Sequence, residues 1–384
     1  MKLIKNAKIL TMTGNNIFDG GIVFDEKIRY IGNDFSDFEI TEEYDANGLY
    51  VMPGLIDSHC HLGIVEDSLG FEGDDANDDC DPVTPHLRAI DAINPMDRCF
   101  TDAKNAGVTT VVTGPGSANP ISGQFAAIKT DGICIDDMIV KSPCAVKMSL
   151  GENPKSVYNS KNQLPSTRMG TAALIRETLY KSREYMTAFE DYYNNSEEND
   201  KPEYDIKFES LIPVLKGEIP VKFHAHRADD ICTAIRIAKE FGIKYTIEHC
   251  TEGELVADVL KRENIGVMVG PTMTDRSKPE LKNMNFSTYK ALSDKGICVA
   301  IITDHPETTI EYLPLCAALA VKHGMDKYKA LEAMTVNPAK NCGIDERVGT
   351  LEIGKDADFA VFDKLPYEFN SELKMTFING IKVK

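Results

Sequence analysis

Two histidines separated by a single residue, His59 and His61, carry the strongest chemical signal in the sequence. They close the segment Gly54-Leu55-Ile56-Asp57-Ser58, whose apolar start predicts a strand. Because alternate residues of an extended strand point to the same side, both imidazoles can bind one metal ion. The chain has only 8 histidines, so such a pairing by chance is rare. An isolated pair is still compatible with ordinary surface or core histidines.

Three further residues of metal-binding type stand where later predicted strands end. Each follows a short run rich in β-branched residues, and a parallel barrel brings the carboxyl ends of its strands to one face. The sequence therefore predicts one metal centre built from several strands. These three residues are His224, His249 and Asp304.

Lys147 is a charged residue inside the apolar run 144–149. Burying an ammonium group is costly unless a partner compensates its charge. Two interpretations are open: Lys147 belongs to the metal centre, or it forms a salt bridge with an acidic loop. The acidic segment 66–81 is either a solvated loop or a surface that attracts a cationic substrate or an additional ion.

Several basic residues near these strand ends are candidates for binding a substrate. His226 lies two residues after His224, and His305 follows Asp304 directly, so either histidine could bind a carbonyl oxygen or a carboxylate. Arginine side chains can pair with a carboxylate through two parallel hydrogen bonds. A structural role explains each histidine equally well, and most arginines of this kind do not bind a substrate. The arginines considered are Arg88, Arg168 and Arg227.

The two chain ends are predicted to form β-structure. Residues 3–51 form short alternating segments between Asn, Gly and Asp turns, and residues 358–383 repeat the pattern with a hairpin signal at Asn379-Gly380. Neither set is large enough for a core of its own, so both are expected to share one β-sandwich. We assign residues 1–52 and 343–384 to this terminal domain.

The central residues 53–342 alternate short β-branched runs with helical stretches. This repetition is long enough for an eight-unit (β/α)8 barrel, which makes the fold class α/β. A doubly wound open sheet is the structural alternative, but no glycine-rich phosphate-binding loop opens any helix. An insertion at about residues 153–219 interrupts the repetition. Helical spacing within 171–195 predicts either a helix over the barrel mouth or an ordinary surface helix.

The composition of the 384 residues argues against several classes of protein. Hydrophobic residues at 42% and charged residues at 27% are typical of a globular chain. The net charge of −18 argues against electrostatic binding to nucleic acid or to anionic membranes. No apolar run is long enough to span a membrane, and the start has no signal-peptide pattern. We expect a cytoplasmic protein whose ten cysteines are reduced.

Taken together, these features resemble the amidohydrolase superfamily over nearly the whole chain. The resemblance rests on the segment 53–61, on the closing segment 348–358, and on the strand-end residues His224, His249 and Asp304. Within the superfamily the chain looks most like the imidazolonepropionase-like and prolidase-like metal hydrolases. The resemblance implies a distorted TIM (β/α)8 barrel with a small β-sandwich domain formed by both chain termini.

The resemblance also implies roles for the strand-end residues. The more buried of two metal ions is expected at His59 and His61. The more exposed ion is expected at His224 and His249. Asp304 is expected to bind metal and to act as the catalytic acid and base. Zn²⁺ suits this set of imidazoles and carboxylates, and Mn²⁺, Fe²⁺ and Ni²⁺ are alternatives.

A bridging ligand is implied between two such ions. Lys147 is similar to the lysine that the family converts with carbon dioxide into a carbamate, which supplies the negative oxygens that a bare ammonium cannot. Glu152 is the alternative bridging ligand, because some members of the family use a glutamate. The metal content is thus expected to be one ion or two.

This ligand set predicts hydrolysis of a C–N bond in an amide, a peptide or a cyclic amide. A bound metal lowers the pKa of water from about 15.7 to about 7 and so supplies hydroxide at neutral pH. Asp304 would take the proton of the attacking water and deliver it to the leaving nitrogen. The enzyme would then belong to class EC 3.5 or 3.4.13, act on a small-molecule substrate and, like similar barrels, form a homo-oligomer.

Two other functions are compatible with the same fold. The first is a deaminase of the same superfamily that uses one metal ion. Deaminases of this kind have an HxxE pattern after the fifth strand. In this chain the position three residues after His224 is Arg227, so the glutamate of that pattern is missing. The second is a catalytically silent relative that serves as a binding or scaffold protein. Silent relatives typically lose metal ligands, and every expected ligand type is present in this chain.

Overall fold

The computed structural model of the chain describes residues 1–14, 16–67 and 69–384. Ser68, which belongs to the acidic segment 66–81, lies outside the described residues. The strands are β1 (Lys2–Leu10), β2 (Ile17–Phe24), β3 (Ile28–Gly32), β4 (Glu42–Asp45), β5 (Tyr50–Pro53), β6 (Leu55–Cys60), β7 (Val108–Thr113), β8 (Ile121–Lys129), β9 (Ile139–Ser149), β10 (Val221–Ala225), β11 (Tyr245–His249), β12 (Val267–Val269), β13 (Val299–Ile301), β14 (Phe359–Phe362), β15 (Leu373–Ile378) and β16 (Ile381–Lys382).

The helices are mostly found between and after the central strands. They are α1 (Arg98–Asn105), α2 (Ile135–Met138), α3 (Glu152–Ser160), α4 (Arg168–Asn194), α5 (Ile206–Glu209), α6 (Ile212–Leu215), α7 (Ala228–Phe241), α8 (Ala257–Glu263), α9 (Ser287–Asp294), α10 (Leu313–Lys322), α11 (Lys327–Glu332) and α12 (Val336–Cys342).

Eight central strands form a nearly closed barrel in the order β13-β12-β11-β10-β9-β8-β7-β6. The strands from β9 to β13 are parallel to one another, and so are β6 and β7. The gap between β6 and β13 is bridged by backbone hydrogen bonds, from Asp304 N to His59 O at 3.2 Å and from His61 N to His305 O at 2.8 Å. All residues of β6, β7 and β10 are buried, because helices cover the outside and side chains fill the inside.

The direction of β8 departs from a regular (β/α)8 barrel. This strand runs antiparallel to both of its neighbours, β7 and β9. The chain therefore returns through the barrel wall at this point instead of crossing back through an outer helix. The barrel has eight strands, as the sequence predicts. The reversed direction of β8 distorts it from a regular (β/α)8 barrel.

Strands from both chain ends form a second, separate sheet. Its order is β16-β15-β14-β5-β1-β2-β3, and β4 pairs with β1. The sheet encloses its own apolar core, in which Phe24, Phe359 and Phe377 pack with ring centroids 4.5 to 5.5 Å apart. The predicted α/β barrel beside a unit made from both termini is therefore confirmed.

A buried ion-pair network joins the barrel to the segment that leads into β14. Lys129 of β8 contacts Asp358 and lies 2.7 Å from Asp356 through its Nζ. Asp356 also contacts Lys27 at 2.5 Å and Arg347 at 2.9 Å. Because Lys129, Asp356 and Asp358 are all buried, each of these charges depends on its partners.

The long insertion helix packs against the flank of the barrel. Helix α4 contacts α7 through ion pairs from Arg168 to Asp230 and from Arg176 to Glu240. Tyr180 of α4 also packs against Phe241, with ring centroids 4.7 Å apart. Helix α4 therefore packs beside α7, as the surface-helix interpretation expects.

Two general features of the described residues bear on the class of protein. None of the helices in the described ranges combines the length and the apolar character needed to cross a membrane. All ten cysteines have free thiols.

Candidate metal centre and active site

The predicted metal ligands come together at the carboxyl ends of the barrel strands. A pocket of about 400 Å³ opens there, and five of these residues line it: His61, Lys147, His224, His249 and Asp304. His59 lies directly behind them and is fully buried. Residues from five different strand ends thus meet at one site, which only the barrel topology makes possible.

The first group of ligand atoms belongs to His59, His61 and Asp304. Oδ1 of Asp304 lies 3.4 Å from His59 Nε2 and 3.5 Å from His61 Nε2. One ligand atom from each of the three residues lies within 4.8 Å of the others, which is the spacing of a metal-binding group.

The second group consists of three histidines, His224, His226 and His249. Their ring nitrogens also lie within 4.8 Å of one another. The rings of His226 and His249 are stacked at 4.5 Å, and His224 and His249 are 4.4 Å apart. His226, considered from the sequence for substrate binding, is therefore grouped by the structure with residues that could hold a metal.

Backbone carbonyls orient two of the imidazoles, and a carboxylate lies close to a third. Nδ1 of His61 lies 2.7 Å from the carbonyl oxygen of Gly114, and Nδ1 of His249 lies 2.9 Å from that of Gly270. Nδ1 of His59 lies 3.0 Å from Glu248 Oε2. An imidazole that donates from Nδ1 presents the lone pair of Nε2, so His61 and His249 can each offer Nε2 to a metal.

Glu248 and Lys222 form a buried pair behind His59. Lys222 Nζ lies 3.0 Å from Glu248 Oε2 and donates a hydrogen bond of 3.0 Å to the carbonyl oxygen of Ser58. Burial would raise the pKa of Glu248, but Lys222 and His59 outweigh it and lower the pKa to about 2. Glu248 is therefore a buried negative charge beside His59.

Lys147 has a different environment from Lys222, its neighbour in register on the next strand. Its Nζ lies 3.1 Å from His59 Nε2, and no carboxylate lies within ion-pair distance in the described part of the chain. Burial lowers the pKa of Lys147 to about 8. For Lys222, by contrast, Glu248 outweighs burial and raises the pKa. The salt-bridge interpretation therefore applies to Lys222 rather than to Lys147.

Burial also shifts the titration of the ligand residues. It lowers the pKa of His224 and His249 well below the usual value, and neighbouring histidines add to the effect. It lowers the pKa of His226 to about 4. Burial alone would raise the pKa of Asp304, but His249 and the other neighbouring rings outweigh it and hold the pKa well below its usual range. Neutral imidazoles beside a carboxylate are the forms that bind a metal ion.

The donor set fits divalent metal ions. Among the residues that the structure describes, both ring nitrogens of His224 and Oδ1 of Asp304 are buried without a hydrogen-bond partner. Leaving such groups unpaired is costly, and a metal ion would satisfy them. Imidazoles with a carboxylate are typical ligands of zinc and similar ions.

Strained backbone accompanies these ligands. His249 has a φ of 70° and Asp304 a φ of 55°, a region that residues other than glycine seldom occupy. Strain of this kind is often found at functional sites, where the surrounding structure holds the side chain in one direction.

Three residues considered for substrate binding lie away from the pocket lining. Arg168 pairs with Asp230, and Arg227 pairs with Asp229 at 2.8 Å on the surface. His305 is buried, and its Nδ1 accepts a hydrogen bond from the backbone N–H of Ile310. None of these three residues lines the pocket that contains the two groups of potential metal ligands.

Arg88 and Glu152 also lie outside this pocket. Arg88 lines a neighbouring cavity of about 340 Å³. Glu152 begins α3, and its Oε2 accepts a hydrogen bond of 3.3 Å from the backbone N–H of Glu280. The structure therefore brings Lys147, and not Glu152, to the ligand groups.

Sequence reasoning missed four polar residues near the metal groups. Glu280 is buried, and its Oε1 lies 3.5 Å from His224 Nε2. Lys278, Asn153 and Ser117 line the pocket. No periodicity marks them, because they lie in loops or at a helix start. Glu248 and Lys222 were detectable, since each is a charged residue in an apolar strand, as Lys147 is.

Comparisons with known proteins place these features in a family. Residues 214–383 match the amidohydrolase family. A solved structure of an amidohydrolase from Thermotoga maritima MSB8 is 40% identical in sequence. The match covers 100% of this chain and 100% of that chain, with a TM-score of 0.96.

Two curated relatives are more distant. The amidohydrolase tasK of Hapsidospora irregularis is 28% identical over 380 residues, which is 92% of this chain and 38% of the relative. This chain therefore spans well under half of tasK. The imidazolonepropionase of Thermoplasma acidophilum is 24% identical over 363 residues, covering 88% of this chain and 83% of the relative.

Proposed function

This chain belongs to the amidohydrolase family, and from that premise we propose that it hydrolyses a C–N bond of a small amide, peptide or cyclic amide. One observation carries the proposal. Two groups of ligand atoms, from His59, His61 and Asp304 and from His224, His226 and His249, converge on one pocket, with unsatisfied atoms in each group.

We propose that His59, His61, His224, His249 and Asp304 hold one or two divalent metal ions, with Zn²⁺ preferred by the ligand types and Mn²⁺, Fe²⁺ or Ni²⁺ as alternatives. When bound, such an ion lowers the pKa of water and polarises a carbonyl oxygen. The protein contributes the fixed directions of the imidazoles, through Gly114, Gly270 and Glu248.

We propose that Lys147 becomes a carbamate that bridges the two ligand groups. Its neutral amine attacks the carbon of carbon dioxide, an N–C bond forms, and one proton leaves to solvent. The pKa of about 8 keeps part of the amine neutral near neutral pH, and its position beside His59 supports the role. Glu152 is disfavoured as the bridge because its carboxylate faces Glu280 and does not line the pocket.

Asp304 is proposed to move the proton during the reaction. Its carboxylate accepts a proton from the attacking water and returns it to the leaving nitrogen, which would otherwise depart as an unstable anion. Its Oδ1 lies 3.4 and 3.5 Å from Nε2 of His59 and His61, and its Oδ2 lies 3.9 Å from Nδ1 of His249 in the second group.

The alternatives fit the geometry less well. A deaminase would use a glutamate at position 227, but Arg227 is paired with Asp229 at the surface. A silent scaffold has no need of a complete and oriented ligand set. We therefore favour an enzyme of class EC 3.5 or 3.4.13.

The proposal is tested by metal analysis and a hydrolysis screen. Protein expressed with bicarbonate and without chelators is expected to hold about two metal ions per chain by elemental analysis. It is expected to hydrolyse at least one compound among dipeptides, N-acyl amino acids and cyclic imides. One ion per chain would instead favour a mononuclear enzyme. No metal after supplementation with zinc or manganese would favour a scaffold protein.

A further inference from the structure

One wall of the active-site pocket carries a lysine that the proposed chemistry does not use. Lys278 lies in the loop between β12 and α9 and lines the same pocket as His224, His249 and Asp304. Apart from Lys147, it is the one lysine or arginine among the described residues that line this pocket. The pocket therefore offers a substrate one cationic side chain outside the ligand groups.

Neighbouring groups hold the Lys278 ammonium in place. Its Nζ lies 3.0 Å from Oε1 of the buried Glu280 and donates a hydrogen bond of 3.1 Å to Oδ1 of Asn153. Glu280 is itself fixed, because its Oε2 accepts a hydrogen bond of 3.0 Å from the backbone N–H of Glu152. A lysine held in this way loses less conformational entropy when it binds a ligand than one that moves freely in solvent.

The same network also positions a hydroxyl. Asn153 Nδ2 donates a hydrogen bond of 2.8 Å to Ser117 Oγ, and Ser117 lines the pocket as well. An ammonium has three N–H donors; Lys278 donates one of them to Asn153, and Glu280 lies at ion-pair distance. Lys278 thus keeps an N–H and Ser117 keeps its O–H available to donate hydrogen bonds to a ligand. The two residues contact opposite ends of the Asn153 amide.

A charged N–H donor and a neutral O–H donor, held by the same asparagine and lining the same pocket, suit the acceptor oxygens of a carboxylate. The acidic residues Asp74 and Glu307 line other parts of the pocket and disfavour a second anionic group. A phosphate would bring more charge and more acceptor oxygens than these two donors can satisfy. The pocket is therefore suited to a ligand with a single carboxylate.

We propose that Lys278 and Ser117 bind a carboxylate of the substrate and so select N-acyl amino acids and peptides with a free carboxyl end over neutral amides and cyclic imides. This inference rests on the proposed C–N hydrolysis and names its substrate class. Two of the arginines considered from the sequence for this role, Arg168 and Arg227, are already paired with carboxylates of the protein.

The test compares matched substrates with and without the charge. The metal-loaded enzyme is assayed on N-acetyl amino acids and dipeptides and on the same compounds with a carboxamide in place of the carboxylate. The wild-type enzyme is expected to prefer the acids. Lys278→Met should raise KM for the acids by about 10- to 100-fold, the worth of a hydrogen bond to a charged group, and leave the amides unchanged. Equal losses for acids and amides would overturn the inference.

Two further variants provide controls. Lys282→Met removes an exposed lysine four residues away that does not line the pocket, and it should leave both kinetic constants unchanged. Ser117→Ala keeps Glu280 paired with Lys278 and should raise KM for the acids alone by a smaller factor. Ser117→Ala replaces Lys278→Met as the test if Lys278→Met, which leaves the buried Glu280 carboxylate without its lysine, does not fold. The carboxylate site would be rejected if Ser117→Ala leaves KM for the acids unchanged and Lys278→Met does not raise KM for the acids more than for the amides.

Failure of the proposed function gives a different result. In that case the wild-type enzyme hydrolyses none of the acids or amides. Calorimetric titration with N-acetyl amino acids then tests the carboxylate site alone. Binding to wild type that is lost in Lys278→Met would support the inference, and absence of binding to wild type would overturn it.

Discussion

At the scale of single residues, the site depends on charges that are buried in pairs. Glu248 is compensated by Lys222 on one side and contacts His59 on the other. Asp57 accepts hydrogen bonds from the backbone N–H groups of His59 and Thr303, which ties the first barrel strand to the segment after the last one. Burial raises the pKa of Asp57 to about 7. These interactions help to position the side chains that could hold a metal ion.

Asp304→Asn should lower kcat by about 10³-fold, because an amide cannot accept and return the proton. The fold should be retained, since asparagine tolerates the φ of 55° at this position better than most residues. Steady-state kinetics with circular dichroism measure both effects. An active variant with a normal spectrum would remove Asp304 from the proton transfer.

Lys147→Ala should lose about half of the bound metal, because the carbamate would no longer link the two ligand groups. Added formate or acetate should partly restore metal and activity by supplying the missing oxygens. Elemental analysis of the variant measures the loss. Glu152→Gln is the matched control and should keep its full metal content. If Glu152→Gln loses metal and Lys147→Ala does not, Glu152 is the bridge.

At the scale of elements, the strand ends decide what the site contains. Glycine at position 54 lets β6 approach β7 closely, since a side chain there would clash with Thr109. The antiparallel strand β8 places Lys129 against Asp356 and Asp358, so the barrel wall is anchored to the terminal sheet through buried charges. The pairing of these elements is therefore sensitive to pH.

Asp356→Asn should lower the free energy of unfolding at pH 7 by about 3 kcal/mol, because Lys129 loses one of its buried partners. Urea unfolding measures the change. Asp258→Asn, which removes an exposed ion pair with Lys295, is the control and should change the stability little.

The same carboxylate predicts how stability varies with acid. Burial would raise the pKa of Asp356, but Lys129, Lys27 and Arg347 outweigh it and lower the pKa to about 2. The unfolded chain has a carboxyl pKa of about 3.9. A lowered folded pKa stabilises the protein above pH of about 4, and this stability is lost as the pH falls toward 2. Unfolding of wild type between these pH values should therefore be steeper in pH than that of Asp356→Asn; equal slopes would contradict the assignment.

At the scale of the whole molecule, metal binding is expected to stabilise the fold. Removing metal with a chelator should lower the melting temperature by several degrees, because a ligand that binds only the folded chain stabilises it by mass action. Adding zinc back should restore it. Differential scanning fluorimetry measures the shift. A His224→Ala/His249→Ala variant should respond less to zinc, and an equal response would place the metal elsewhere.

The sequence by itself determined the barrel, the sheet shared by both chain ends and the ligand-type residues at the strand ends. Two physical rules made this possible. Alternation with a period of two shows which residues share one side of a strand, and parallel strands in a barrel bring their carboxyl ends to one face. His59, His61, His224, His249 and Asp304 could be selected on these grounds, and the structure places them together.

Only the tertiary structure decided which charged residues are paired and which face the pocket. Lys147 and Lys222 look alike in sequence, but a carboxylate from β11 neutralises only Lys222. Arg168 and Arg227 form ion pairs with nearby carboxylates. Lys278 lines the pocket from a loop whose sequence shows no periodicity. The reason is physical: the charge state and direction of a buried group depend on neighbours that are distant in the chain, and no local pattern records them.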